Sequence, residues 1–151
     1  MMSKKVTDAK NFAYANEERG LKNHEKIMLK LIDQYVEVDP IDVLDIGCAD
    51  GIFLQELSNH KKCNLVDGLD NDSALVERAR DRKYKAKSSK IYLNDVLDLL
   101  NDKNPLIEKK YDIIIASGIF AFFENVDDIA QSFSKLLKET GKIFIFNRCN
   151  S

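Results

Sequence analysis

Hydrophobic and polar positions fall into alternating blocks along this chain. In GLKNHEKIMLKLIDQYVEV, the apolar Leu21, Ile27, Met28, Leu31, Ile32 and Tyr35 recur near one side of a 3.6-residue repeat. That spacing predicts an amphipathic helix. Asp39-Pro40 ends it, because a residue before proline is pushed out of the helical region. Val43–Ile46 then reads as a short buried strand, and Asp50–Asn59 as a helix with Ile52, Phe53, Leu54 and Leu57 to pack. Asn64–Leu69 is a second strand. Ser73–Lys83 is the next helix, with Asp72 or Asn71 as its N-cap. Lys90–Leu93 is a third strand, Asp95–Leu100 a short helix and Tyr111–Ser117 a fourth strand. The fourth, YDIIIAS, is apolar at consecutive positions, as expected of a strand covered on both faces. Val126–Glu139 reads as a helix, Thr140-Gly141 as a turn, and Lys142–Phe146 as a fifth strand. Strands alternating with helices predict an α/β fold, a doubly wound and mainly parallel sheet in three α/β/α layers. Residues 1–40 stand apart as an N-terminal helical segment, and 41–151 carry the alternating core.

Composition narrows this picture. At 151 residues the chain is one domain by size, and about 70% of its unfolded surface can be buried, so no metal or disulfide staple is needed. With 44% apolar and 32% charged residues it belongs to the soluble globular class. A net charge of −2 offers no global attraction to nucleic acid or anionic membranes. The basic run RARDRKYKAKSSK, Arg78 to Lys90, is the one nucleic-acid hint, and a solvated face is the favoured reading of it. The three cysteines, Cys48, Cys63 and Cys149, are odd in number and form no C-x-x-C, so neither a disulfide framework nor a metal site is implied. His24 and His60 have no ligand-like neighbours in sequence. The opening MMSKKVTDAKNF lacks the apolar stretch of a signal peptide, and no run approaches the roughly 20 residues that span a bilayer. The cytoplasm is the expected location.

The candidate chemistry sits in VLDIGCADG, Val43 to Gly51. It leaves the carboxyl end of the first strand, where open α/β sheets bind ligands. Gly47 and Gly51 let the backbone bend and approach a ligand, and the following helix N-terminus favours negative charge. A nicotinamide-type G-x-G-x-x-G would need glycine at Ala49 and Ile52, and Asp50 would stand where a pyrophosphate comes near. A Walker loop is excluded, since no GK[ST] follows.

The spacing D-x-G-x-A-x-G resembles motif I of the class I S-adenosylmethionine-dependent methyltransferases, [DE]-x-G-x-G-x-G, with one departure at Ala49. LVDGLDND resembles motif II, whose acid, here Asp70 with Asn71 beside it, takes the ribose hydroxyls. YLNDVLDL resembles the third-strand motif, whose acid meets the adenine amino group. Here that is Asp95, flanked by Asn94 and by Val96 with its backbone N–H. YDIIIASGIFAFFENVDDI resembles the fourth-strand motif and TGKIFIF the turn into the fifth strand, so the likeness runs from about Asp42 to Phe146. It implies a Rossmann-like fold, S-adenosyl-L-methionine as cofactor and S-adenosyl-L-homocysteine as product. By the same resemblance Asp45 orients the cationic methionine end, Gly47 offers its carbonyl to the ammonium, and Cys48 and Ala49 line the cofactor. Ser117, Gly118 and Ile119 line the methyl transfer path. Cys48 as a nucleophile is set aside, because neither histidine lies in a partner motif. Phe120, Phe122 and Phe123 wall a substrate pocket or pack under the next helix, two readings of equal weight. Tyr14, in NFAYANEERG, is a candidate to close over the cofactor.

No general base is identifiable. ASGIF replaces the N/D-P-P-Y/F of amino-directed nucleic-acid methyltransferases, and so resembles the enzymes of small molecules. The family sheet has seven strands in the order 3-2-1-4-5-7-6, yet the chain stops at NRCNS after strand five. Strands six and seven are expected to be lacking, which leaves IFIF as an apolar edge. Either the chain is a piece of a longer protein, or a second copy or further domain covers that edge. The expected function is methyl transfer to a small molecule. The alternatives are a non-catalytic cofactor-binding or interaction domain, and an RNA methyltransferase.

Overall fold

The computed structural model describes residues 20–100, 108–119 and 123–146. Its elements alternate as the hydrophobic pattern predicts. Helix α1 (Asn23–Tyr35) leads into β1 (Ile41–Ile46), α2 (Ile52–His60), β2 (Cys63–Asp70), α3 (Ser73–Asp81) and β3 (Ala86–Leu93). A 3-10 turn over Val96–Leu100 follows, then β4 (Tyr111–Ser117), α4 (Val126–Phe133), a second 3-10 turn (Ser134–Leu136) and β5 (Leu137–Phe146). The strands form one sheet in the order β3-β2-β1-β4-β5, and each neighbouring pair is parallel.

Both faces of the sheet are covered, which explains the unbroken apolar runs. On one face Val43, Val66, Ile113 and Ile115 pack with Met28 and Ile32 of α1, Leu54 and Leu57 of α2, and Val76 and Ala79 of α3. On the other, Leu44, Ile46, Ile114 and Ala116 pack with Val96, Leu99, Ile129 and Phe133. Asp72 is the N-cap of α3, its carboxylate accepting from the N–H groups of Ala74 (3.0 Å) and Leu75 (3.1 Å).

Three expectations need correction. Strand β3 begins at Ala86, earlier than Lys90, because Ser88 and Ser89 pair with Leu65 and Val66 on β2. Its outer edge carries Lys87 and Lys90, charges that discourage edge-to-edge pairing. Helix α4 stops at Phe133, well short of Glu139, and β5 starts at Leu137. There Leu137 pairs with Tyr111, and Lys138 bridges Asp42 (2.8 Å) and Asp112 (3.0 Å). The expected turn at Thr140-Gly141 survives as a register break, since Ile113 next pairs with Lys142. Finally, the apolar face of α1 divides. Met28 and Ile32 are buried, whereas Ile27, Leu31 and Tyr35 are 57%, 37% and 53% exposed, the first two beside β5.

Candidate functional site

The glycine loop joins β1 to α2 at the carboxyl ends of the strands. Gly47 has φ +82°, and a Cβ there would lie 2.6 Å from the carbonyl oxygen of Ser117. Only glycine lets β1 and β4 end so close together. The N–H groups of Gly47 (2.8 Å) and Cys48 (3.0 Å) both donate to Leu69, fastening the loop to β2. Ala49, where the resembled motif has glycine, has φ +51°. A side chain in that left-handed region costs about 1–2 kcal/mol. The Ala49 N–H donates to Oδ2 of Asp70 at 2.9 Å. Gly51, also left-handed at φ +83°, begins α2, and a Cβ there would meet the Tyr84 hydroxyl.

Asp50 does not face the ligand side. It is 1% exposed, and its Oδ1 accepts from the Ile52 N–H at 3.3 Å. Its carbonyl accepts from Arg82 Nε at 2.6 Å. The carboxylate expected to oppose a pyrophosphate is therefore turned into the protein.

Two hollows flank the loop. One, of about 240 Å³, gathers Gly47 from β1's end, Asp70 and Asn71 from β2's, Asn94, Asp95 and Val96 from β3's, and Ser117, Gly118 and Ile119 from β4's. The other, of about 130 Å³, lies between the loop residues Asp45, Cys48 and Ala49 and the start of α1, with Lys22, His24, Glu25, Met28 and Phe53 in its wall. Gly47 and Ser117 line both. Twelve of the thirteen cofactor candidates thus meet at two adjoining hollows. Gly51 lies behind them and acts through the backbone. Tyr14 and Phe120 lie outside the described residues, as does Phe122. Phe123 lines neither hollow. It packs edge-on against Phe133 at 5.8 Å, partly buried against the core on that face of the sheet.

Lys22, His24 and Glu25 were missed by pattern reading. The N–H of Lys22 donates to Glu25 Oε1 at 2.8 Å, a local spacing that marks a helix start. Their approach to the loop is a tertiary contact that no periodicity encodes. His24 also stacks on Phe146 at the end of β5, with ring centroids 4.2 Å apart.

The electrostatics of the smaller hollow follow from burial. Asp45 is 3% exposed. Burial, then the charges of Asp70 and Glu25, push its carboxyl up to about 8. Such a group is stabilised by a cation. Cys48 is 4% exposed, and burial, followed by Asp45 and Asp70, drives its thiol far above the ordinary range. It packs and does not supply a thiolate.

In the larger hollow, Asp70 accepts from Ala49 through one oxygen and from the Asp72 N–H (3.0 Å) through the other. Each carboxylate oxygen has a further lone pair, so two hydroxyls can still be received. Asp95 receives the Leu97 N–H at 3.4 Å, which holds the turn that carries Val96. Carboxylates at the ends of β2 and β3 suit the hydroxyl and amine donors of a nucleoside. Asp45 beside Lys22 suits the ammonium and carboxylate of an amino acid. The residues present therefore fit a nucleoside joined to an amino acid. Among the described residues no group of His, Cys, Asp or Glu could hold a metal ion.

Comparisons with known proteins give the family. A family model described as a methyltransferase domain matches residues 44–143. The chain belongs to that family, the class I S-adenosylmethionine-dependent methyltransferases that motif I resembles. It is 29% identical over 102 residues to malonyl-[acyl-carrier protein] O-methyltransferase 1 of Ilyobacter polytropus, covering 68% of this chain and 36% of that protein. It is 32% identical over 111 residues to a ubiquinone biosynthesis O-methyltransferase of Pelagibacter ubique, covering 70% and 41%. The solved plantazolicin methyltransferase BamL, in complex with a triazolic desmethylPZN analog and SAH, superposes with a TM-score of 0.70 at 21% identity. That match covers 93% of this chain and 51% of BamL, and at such identity it shows the fold alone. The chain spans between 36% and 48% of the length of the curated relatives it matches.

Proposed function

We propose that the chain binds S-adenosyl-L-methionine across both hollows and forms the core of an enzyme that methylates a small-molecule acceptor. The observation that carries this is Asp45, a carboxylate buried in a hollow that shares Gly47 and Ser117 with the one lined by Asp70 and Asp95. Bound there, the cofactor supplies a methyl group activated by a sulfonium centre, and its leaving group is neutral. Asp45 gives up its proton and meets the ammonium, with Gly47's carbonyl beside it. Lys22 faces the carboxylate. Asp70 accepts from the ribose hydroxyls, while Asn94, Asp95 and Val96 hold the adenine edge. Ser117, Gly118 and Ile119 wall the transfer path and keep water from it. No proton-accepting group is assigned to the acceptor.

The small-molecule acceptor is supported by ASGIF at the end of β4 and by relatives named for acyl-carrier and ubiquinone chemistry. RNA is not favoured. Arg80 donates twice to the Ile91 carbonyl, and Arg82 is committed to Asp50 and Gln55, so neither is held for phosphate. The interaction-domain reading rests on β5, which ends the sheet among the described residues. A cytoplasmic location belongs to the same proposal, supported by unpaired, buried Cys48 and Cys63. Among the described residues no helix is long and apolar enough to cross a membrane.

Calorimetric titration of S-adenosylhomocysteine into the chain tests the reading. Micromolar binding is expected, weakened at least about tenfold in Asp70→Ala, since a charged hydrogen bond contributes roughly 1.5–3 kcal/mol. No binding by folded wild-type chain would sink it.

A further inference from the structure

We infer that Arg82 is a positioning residue for the cofactor loop, clamping it from the side opposite the ligand. The inference rests on the cofactor reading for its affinity consequence and on geometry alone for the clamp. Arg82 is the C-terminal cap residue of α3 and lies outside every motif of the loop. Its guanidinium makes three approaches at once. Nε donates to the Asp50 carbonyl at 2.6 Å, Nη1 donates to Gln55 Oε1 at 2.9 Å, and Nη2 lies 3.7 Å from Asp50 Oδ2. Gln55 in turn donates to the Lys83 carbonyl at 3.1 Å, so α2 and the end of α3 are tied in both directions. A guanidinium presents its donors in a fixed planar fork, which a lysine cannot reproduce.

The clamp acts on a loop that has reason to move. Ala49, immediately before Asp50, is held left-handed at φ +51°. Such a conformation persists only where surrounding contacts over-determine it. On the ligand side the restraint is the hydrogen bond from Ala49 to Asp70. Behind, it is Arg82 on Asp50. With the rear contact gone, Ala49 relaxes from its strained region and its N–H turns from Asp70, so the smaller hollow loses part of its wall and the carboxylate of the larger one loses a donor. The arginine therefore compensates for the alanine that stands where the resembled motif has glycine.

The test uses Arg82→Gln, Arg82→Lys, Ala49→Gly and the double variant Arg82→Gln/Ala49→Gly in the whole chain. Lys87→Gln, exposed and remote from the loop, serves as the charge control. Hydrogen–deuterium exchange of the peptide over Gly47–Ile52 is followed without ligand, and S-adenosylhomocysteine affinity is measured by calorimetry. Arg82→Gln is expected to raise exchange in that peptide at unchanged global protection and to weaken binding about tenfold. Arg82→Lys should recover only part. Because glycine adopts the left-handed region without strain, Ala49→Gly should restore most of the affinity lost in Arg82→Gln, a non-additivity that simple destabilisation does not produce. Unchanged exchange and affinity within twofold of wild type in Arg82→Gln would overturn the clamp. So would losses that simply add in the double variant. A wild-type chain that ignores S-adenosylhomocysteine would count against the cofactor reading alone, because the exchange measurement decides the clamp without ligand.

Discussion

Asp45 is the residue on which the site's pH behaviour turns. Its carboxyl titrates near 8 in the folded, ligand-free chain, against an ordinary value of 3.8. Between those values the folded state binds a proton that the unfolded state does not. The stabilisation is thus complete below about pH 4 and is lost as pH rises towards 8, with a slope of up to about 1.4 kcal/mol per pH unit. A cationic ligand reverses the preference. Binding S-adenosylhomocysteine near neutral pH should release close to one proton, and affinity should rise with pH until about 8. Calorimetry in buffers of different ionisation enthalpy reads the proton directly. Asp45→Asn should abolish the release, flatten the ligand-free stability profile over the same range and weaken binding at least about tenfold. An unchanged proton count in that variant would assign the release to another group. This behaviour was hidden from the sequence. Motif spacing marks Asp45 as a cofactor residue, but burial and the nearness of Glu25 come from α1 folding over the loop.

At the scale of elements, the order of strands was legible and their ends were less so. Tyr111–Ser117 matches its predicted span because an apolar run flanked on both sides can only be a covered strand. The ends of α4 and β5 were misread because α4's apolar spacing continues through Leu136 and Leu137, so periodicity cannot mark where the helix stops. What stops it is tertiary. Lys138 pairs with Asp42 and Asp112, three groups far apart in sequence. A second long-range polar contact makes a sharper test. Tyr111 is fully buried, and its hydroxyl donates to Asp67 Oδ2 at 2.6 Å, with Lys109 Nζ 3.2 Å from the same oxygen. Among the described residues the other oxygen, Oδ1, has no partner. Tyr111→Phe removes a donor from a carboxylate that is already undersupplied. A loss of about 1–3 kcal/mol is expected by urea denaturation, with the slope unchanged. A neutral result would show Lys109 swinging in to replace the hydroxyl.

For the whole molecule, the unresolved balance lies at β5. It ends the sheet order, and Ile143–Phe146 are only partly buried among the described residues. Beside them Ile27 and Leu31 stand one turn apart on α1, and an apolar trough of about 220 Å³ runs between helix and strand. Among the described residues no further strand pairs with β5, and such an edge offers unpaired N–H and C=O groups, to which the flanking stripe adds apolar area. The net charge of −2 gives little repulsion to oppose contact. The isolated chain is therefore expected to self-associate as its concentration rises, and sedimentation velocity will show it. Because Ile27 and Leu31 are exposed, Ile27→Lys with Leu31→Lys should change stability little while shifting the chain towards monomer. The stacking of His24 on Phe146 connects this face to the smaller hollow, since His24 and its neighbours Lys22 and Glu25 also line that hollow. If the wild-type chain stays monomeric across a wide concentration range, the edge is protected by its twist and its half-buried side chains, and the lysine pair should then leave the sedimentation profile unchanged.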